Sequence, residues 1–157
     1  MAWPTPIRTW ADNDLVTATL LNAELRDRMA ALKTPPSART VITTNQSIAT
    51  TTFTDLLATP LTIQATGGTV LALFSGKFTL SATDRLQLRF VINGTPTSQL
   101  VDHTIVGGAH QNVHIHYRSA LPSGARDINI QWRTNGGNSV TLDAANAAAS
   151  FDVVELG

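Results

Sequence analysis

The chain of 157 residues contains no cysteine. That excludes a disulfide framework, thiolate catalysis and any cysteine-based metal site. Charge is also scarce. Asp, Glu, Lys and Arg together make up 14% of the residues, and the 11 basic groups balance the 11 acidic ones. A typical soluble domain carries roughly a quarter charged residues. The balance holds region by region: Arg8, Arg26, Arg28 and Lys33 face Asp12, Asp14, Glu24 and Asp27 at the N-terminal end, and the remaining charges are scattered. No basic stripe exists of the kind that neutralises phosphates, so nucleic acid is not an expected partner. Long apolar runs are missing as well. Nothing approaches the roughly 18–20 residues of a membrane span, and the opening MAWPTPIRTW lacks the apolar core of a secretory signal. The expectation is a protein made in the cytoplasm, with no membrane partner and no cofactor. A neutral, sparsely charged surface is poorly protected against self-association, so much of it is expected to be covered by other subunits.

What is present falls into two unequal parts. Residues 1–16 read as an extended arm, in which Pro4 and Pro6 remove backbone donors and favour extended conformations. Trp3, Ile7 and Trp10 are large apolar groups in a segment too short to bury them itself. Residues 17–34 read as an amphipathic helix. Thr17 suits the N-cap, and Leu21, Leu25, Met29 and Leu32 form one stripe. Glu24 and Arg28 are a favourable i,i+4 pair, and Pro35-Pro36 stops the helix. So short a helix is marginal alone, and its stripe must pack on something. Residues 35–39 read as a Pro-rich linker.

From Thr40 to residue 157 the apolar period is two, which predicts a β-sandwich domain. Leu86, Leu88, Phe90 and Ile92 alternate with more polar neighbours and run into Asn93-Gly94, a hairpin signal. Ile128, Ile130 and Trp132 repeat the pattern before Asn135-Gly136-Gly137. Residues 69–78 are more continuously apolar and suit a central strand, and residues 150–156 alternate again. Further strands are expected at 40–44, 47–54, 61–65, 98–106 and 111–118. Threonine, present 23 times, fits pleated surfaces. Roughly eight to ten short strands between turn signals predict a mainly β chain, an antiparallel sandwich or barrel with an N-terminal arm and one short helix. Phe74, Phe78, Phe90, Trp132 and Phe151 are expected in its core.

Few constellations suggest chemistry. "VHIHY" at 113–117 places His114 and His116 on one side of a strand, about 7 Å apart, a spacing that two metal ligands can use. The stretch matches the cupin pattern in part, with Gly108 six residues before His114. However, Ala120 and Leu121 stand where that pattern needs glutamate, and no histidine follows His116. Two ligands leave a metal site half built, and an exposed or interfacial strand face is the expected role. On a threefold axis, one such histidine per chain would supply three ligands. Ser123 lacks a nucleophile elbow, and the Gly-Gly pairs at 67–68 and 107–108 precede no Lys-bearing helix. Asp84-Arg85 and Arg126-Asp127 read as turn and strand-end charges. No catalytic residues are assigned, and the chain is not expected to be an enzyme.

The N-terminal stretch resembles the leader of many small virion proteins of tailed bacteriophages. The matching residues are Pro6, Arg8, Thr9 and Trp10, then Leu15-Val16-Thr17-Ala18, Leu21-Asn22-Ala23 and Arg26-Asp27. The segments "LTIQATGGTVLALFSGKF", "LQLRFVINGT", "LPSGARDINIQWRTNGGNSVTL" and "FDVVELG" are similar to the general run of strands that follows such leaders. Leu20 stands where relatives often carry an acid. The resemblance implies a homotrimeric, jelly-roll-like knob on the virion surface. It also implies a capsid decoration or head-fibre protein that binds the major capsid protein or another virion structural protein and stabilises the lattice. The alternative it leaves open is a tail-fibre or receptor-binding protein that contacts host surface glycans. In either case Trp3, Ile7 and Trp10 are the expected docking residues, against a neighbouring subunit or the shell, and Leu21, Leu25, Met29 and Leu32 are expected to pack on the trimer mates or on the knob. A cupin-like metal enzyme and a cellular sugar-binding module are the readings from other classes.

Overall fold

The structure is a computed structural model that describes residues 17–19, 21–22, 25–26 and 35–156. The expectations for Trp3, Ile7, Trp10, Met29 and Leu32 fall on residues outside that set.

Ala18, Thr19, Leu21, Asn22, Leu25 and Arg26 are helical, and the carbonyl of Thr17 accepts from the Leu21 nitrogen at 3.0 Å. That bond is the first of the helix, as an N-cap residue requires. Eleven strands follow: β1 (Ser37–Ile42), β2 (Gln46–Ile48), β3 (Thr54–Asp55), β4 (Leu61–Ala65), β5 (Thr69–Leu80), β6 (Asp84–Ile92), β7 (Thr95–Ile105), β8 (His110–Ala120), β9 (Gly124–Thr134), β10 (Val140–Leu142) and β11 (Ala149–Glu155). All the pairings are antiparallel.

The long β5 organises the first sheet. Its N-terminal half pairs with β11 and its C-terminal end with β10, while β8 runs along its opposite edge from Thr69↔Ala120 to Thr79↔His110. β1 extends the sheet beyond β11, and β2 extends it beyond β10. In the second sheet β9 is flanked by β6 on one edge and by β3 and β4 on the other, and β7 closes the far side. Two antiparallel sheets connected in this crossing order form a jelly roll.

The alternation in each strand decides which side faces inward. Phe74, Phe78, Val113, Ile115, Leu142, Phe151 and Val153 from the first sheet meet Leu86, Leu88, Phe90, Ile128, Ile130 and Trp132 from the second in one buried cluster. Phe78 and Trp132 touch across the sandwich with ring centroids 6.0 Å apart, and Phe90 stacks on Phe151, also at 6.0 Å. Such pairs contribute about 0.5–1.5 kcal/mol each beyond area burial. Gly76 sits on the inner face because a Cβ there would come within 2.8 Å of Leu142 and 2.9 Å of Phe74.

The hairpin between β6 and β7 turns on Asn93 and Gly94, both with positive φ (48° and 76°). This is the primed turn that suits the twist of two paired strands. The single edge strand expected over 47–54 is instead two short strands in different sheets, because residues 49–53 carry the chain across the sandwich. A run of Thr, Ser and Asn has no apolar alternation that would mark such a crossing.

Candidate functional site

His114 and His116 lie on β8 with their side chains on the solvent face, while Val113 and Ile115 point into the core. The β8–β5 register sets His114 opposite Ser75 and His116 opposite Leu73. One strand further, Ser75 faces Ser150 and Leu73 faces Asp152. A shallow depression of about 160 Å³ lies here, lined by Leu73, Phe74, Ser75, His114, Ile115, His116 and Ser150. Among the described residues no group of three His, Cys, Asp or Glu side chains is placed to hold a metal ion. The two imidazoles are a pair on an open sheet, with Ser75 and Leu73 beside them.

The surrounding face is more informative than the histidines. Following the ladder outward, Leu71 faces Val154, and Leu156 continues the same side past the end of β11. Val41 on β1 faces Ser150. Val41 is 48% exposed, Leu73 41% and Leu156 51%, while Leu71 and Val154 are half-buried. Charged pairs stand within and beside this band. Arg39 bridges Asp152 at 3.2 Å. Lys77 lies 3.3 Å and His110 3.7 Å from the Asp143 carboxylate, which also accepts from the Asn146 amide at 2.7 Å. The amide of Asn146 and then Lys77 favour the charged carboxylate over the cost of its burial, and Asp143 titrates below the usual carboxylate range. The face combines exposed apolar side chains with fixed charges set among and beside them, a composition found where proteins meet other proteins.

Leu21 and Leu25 of the helical stripe are 44% and 51% exposed. The stripe expected to pack on a partner therefore has these two members uncovered within the chain.

The outer face of the second sheet holds a network that the sequence reading missed. Arg85 pairs with Asp102 on β7 through two charge-assisted bonds, and the Gln87 amide donates to the same carboxylate at 2.9 Å. These donors, Arg85 first, hold the Asp102 carboxyl below its ordinary range. Gln87 in turn accepts from Arg133 Nε at 2.7 Å. Arg89 donates twice to the Gln131 carbonyl, and Gln131 donates to Asp55 at 2.8 Å. The Phe53 ring lies under both remaining cations, with the guanidinium carbons of Arg89 and Arg133 3.8 and 4.4 Å from its centroid. The only signal in the sequence was the polar half of each alternating strand, which reads as ordinary solvated surface. The pairing partners come from other strands.

The remaining charged turn residues act locally. Burial works against the charge of Asp84. Hydrogen bonds from the backbone of Arg85, Gly136 and Asn138 and from the Asn138 side chain outweigh it, so the carboxyl titrates below the usual range and clamps the turn before β10. Arg126 donates to the carbonyls of Pro122 and Ser123, and Asp127 accepts from Thr62. Among the described residues, no helix is long and apolar enough to cross a membrane.

No protein-family model and no curated protein sequence matches the chain. Among solved structures, the globular domain of zebrafish complement 1qA protein is 13% identical with a TM-score of 0.46, over 78% of this chain and 98% of that one. The PRD1 vertex protein P5 is 10% identical with a TM-score of 0.48, over 78% of this chain and 98% of that one. The chain is also similar to Eiger TNF from S. frugiperda, at 10% identity and a TM-score of 0.47, over 79% of this chain and 94% of that one.

Proposed function

We propose that this chain is a structural protein of a bacteriophage particle that assembles as a homotrimer and decorates the capsid surface. The carrying observation is the outer face of the first sheet, where Val41, Leu73 and Leu156 stand exposed beside Leu71 and Val154. An apolar band of this kind on a weakly charged chain is disfavoured in water and calls for a covering surface. A second copy is the occupant favoured here. β7 and β8 each run 11 residues and each pair along one edge only among the described strands. Long bare edges of low charge are hazardous unless a neighbour shields them. The exposed Leu21 and Leu25 add a second uncovered apolar surface. The phage setting rests on the leader motif, from Pro6 to Asp27.

In this reading the arm is the attachment device. Trp3, Ile7 and Trp10 dock on the major capsid protein or another virion component, and the jelly roll forms the knob. His114 and His116 belong to a subunit-facing sheet in this reading, and the role proposed for the chain is structural. Tryptophans in desolvated pockets are frequent hot spots, costing roughly 2–4 kcal/mol each on truncation to alanine.

The test compares the full chain with a form lacking residues 1–16, in light scattering and in binding to particles devoid of the protein. The expected result is a trimer in both cases, with cooperative melting retained and particle binding weakened at least a hundredfold by the truncation. A clean monomer at micromolar concentration overturns the assembly. Equal particle binding by the two forms overturns the docking arm.

A further inference from the structure

We infer that the outer face of the second sheet carries a binding site for a single monoanionic oxyanion group, a carboxylate or phosphodiester borne on a saccharide, with Arg89 and Arg133 as its anchors. This site lies on the opposite side of the sandwich from the apolar band.

The argument starts from the charges. Arg85 has its counter-ion in Asp102. Arg89 and Arg133 have none: among the described residues no carboxylate forms an ion pair with either, and their partners are the Gln131 and Gln87 side-chain carbonyls and the Thr51 backbone carbonyl. Both are half-buried, where a cation without a counter-charge is costly. Their positions are nevertheless fixed, by these hydrogen bonds and by the Phe53 ring under both guanidiniums. Fixing a cation before the ligand arrives reduces the ordering cost of binding.

The hydrogen-bond pattern says which part of each group remains. Arg89 spends Nε and Nη2 on one oxygen of Gln131, leaving Nη1 unassigned. Arg133 spends Nε and Nη1, leaving Nη2 unassigned. Guanidinium N–H groups in this planar arrangement recognise carboxylate and phosphate oxygens in pairs.

The balance of the network limits the ligand. Arg85, Arg89 and Arg133 stand against Asp55 and Asp102, so the surplus is one positive charge. A polyanion would meet the two aspartates, whereas a group of one negative charge neutralises this network; Asp127, further along β9 on the same face, is engaged by Thr62. The exposed Asp55 carboxylate, fixed by the Gln131 amide, is of the type that hydrogen-bonds sugar hydroxyls. That favours an acidic saccharide over an acidic peptide.

The experiment is a titration of the ¹⁵N-labelled full chain with glucuronate and, separately, dimethyl phosphate, methyl glucoside and hexaglutamate, followed through the arginine Nε–H and backbone signals. Saturable shifts at Arg89, Arg133 and Phe53 are expected with glucuronate or dimethyl phosphate, and whichever binds tighter names the oxyanion. Methyl glucoside is expected to produce none. Arg133 also holds the Thr51 carbonyl, so its replacement loosens a loop; Arg89 meets only the Gln131 and Phe53 side chains and no loop backbone, so Arg89→Gln carries the test, with at least a tenfold weakening expected and melting retained. Raising salt from 50 to 500 mM is expected to weaken binding severalfold. The inference is overturned by equal shifts with methyl glucoside, by unchanged affinity in Arg89→Gln, or by hexaglutamate binding tighter than both monoanions.

Discussion

The carboxylate of Glu155, near the C-terminal end of the last strand, accepts from both the backbone nitrogen and the hydroxyl of Thr66, at 2.9 and 3.0 Å. The nitrogen of Gly68 donates to the same group at 2.5 Å. Glu155 is 1% exposed, and this single side chain ties β11 to the β4–β5 turn. Burial alone would raise its pKa. The donors of Thr66 and Gly68 outweigh burial and bring it below the ordinary value of 4.5.

The sign of the pH dependence follows. The depressed folded-state pKa means that the Glu155 contribution is complete above the unfolded-state value and is lost as the pH falls through the folded one. Thermal melts at a series of acidic pH values are expected to show a smaller stability loss in Glu155→Gln than in the wild type, the remainder belonging to Asp84, Asp102 and Asp143. Glu155→Leu leaves buried donors without an acceptor and is expected to cost at least about 1–3 kcal/mol at neutral pH. An unchanged acid profile in Glu155→Gln would show that other carboxylates govern acid sensitivity.

Gly76 faces Leu142 and Phe74 at distances too short for a side chain. Gly76→Ala is expected to destabilise the fold by about 1–3 kcal/mol through overpacking, and Gly76→Val by more. Urea titration measures both. A neutral Gly76→Ala would mean that the Phe74 and Leu142 side chains move aside freely.

Leu73 stands opposite His116 in the middle of the apolar band. Leu73→Arg, on the outer face and 41% exposed, should leave the monomer fold intact. Desolvating an added cation in a subunit contact is costly even opposite Asp152, whose carboxylate Arg39 already engages, so the variant is expected to sediment as a monomer with native far-ultraviolet circular dichroism. A trimer that survives Leu73→Arg would move the subunit contact to another surface.

The sequence was most legible where alternation was strict. Leu86, Leu88 and Phe90, and Ile128, Ile130 and Trp132, declare both a strand and its buried side, and the structure places all six in the core. The expected strand over 61–65 coincides with Leu61–Ala65, and the Asn93-Gly94 turn follows from the positive φ those residues tolerate. The outward direction of His114 and His116 came from the same period of two. These are local properties, decided by backbone sterics and the side on which each apolar group falls.

What local pattern does not contain is the identity of the neighbour. Arg89 and Gln131 are 42 residues apart, Arg133 and Gln87 are 46 apart, and Phe53 reaches both arginines from the segment that crosses between the sheets. The sequence alone determined that the chain is a two-faced β structure, low in charge, with the large apolar residues Trp3, Ile7 and Trp10 outside its alternating strands. Only the tertiary structure decided the strand order, and with it which polar residues meet and which apolar ones remain uncovered. The physical reason is that a side chain's face is set by its own backbone, whereas its partner is set by sheet register, which long-range packing chooses.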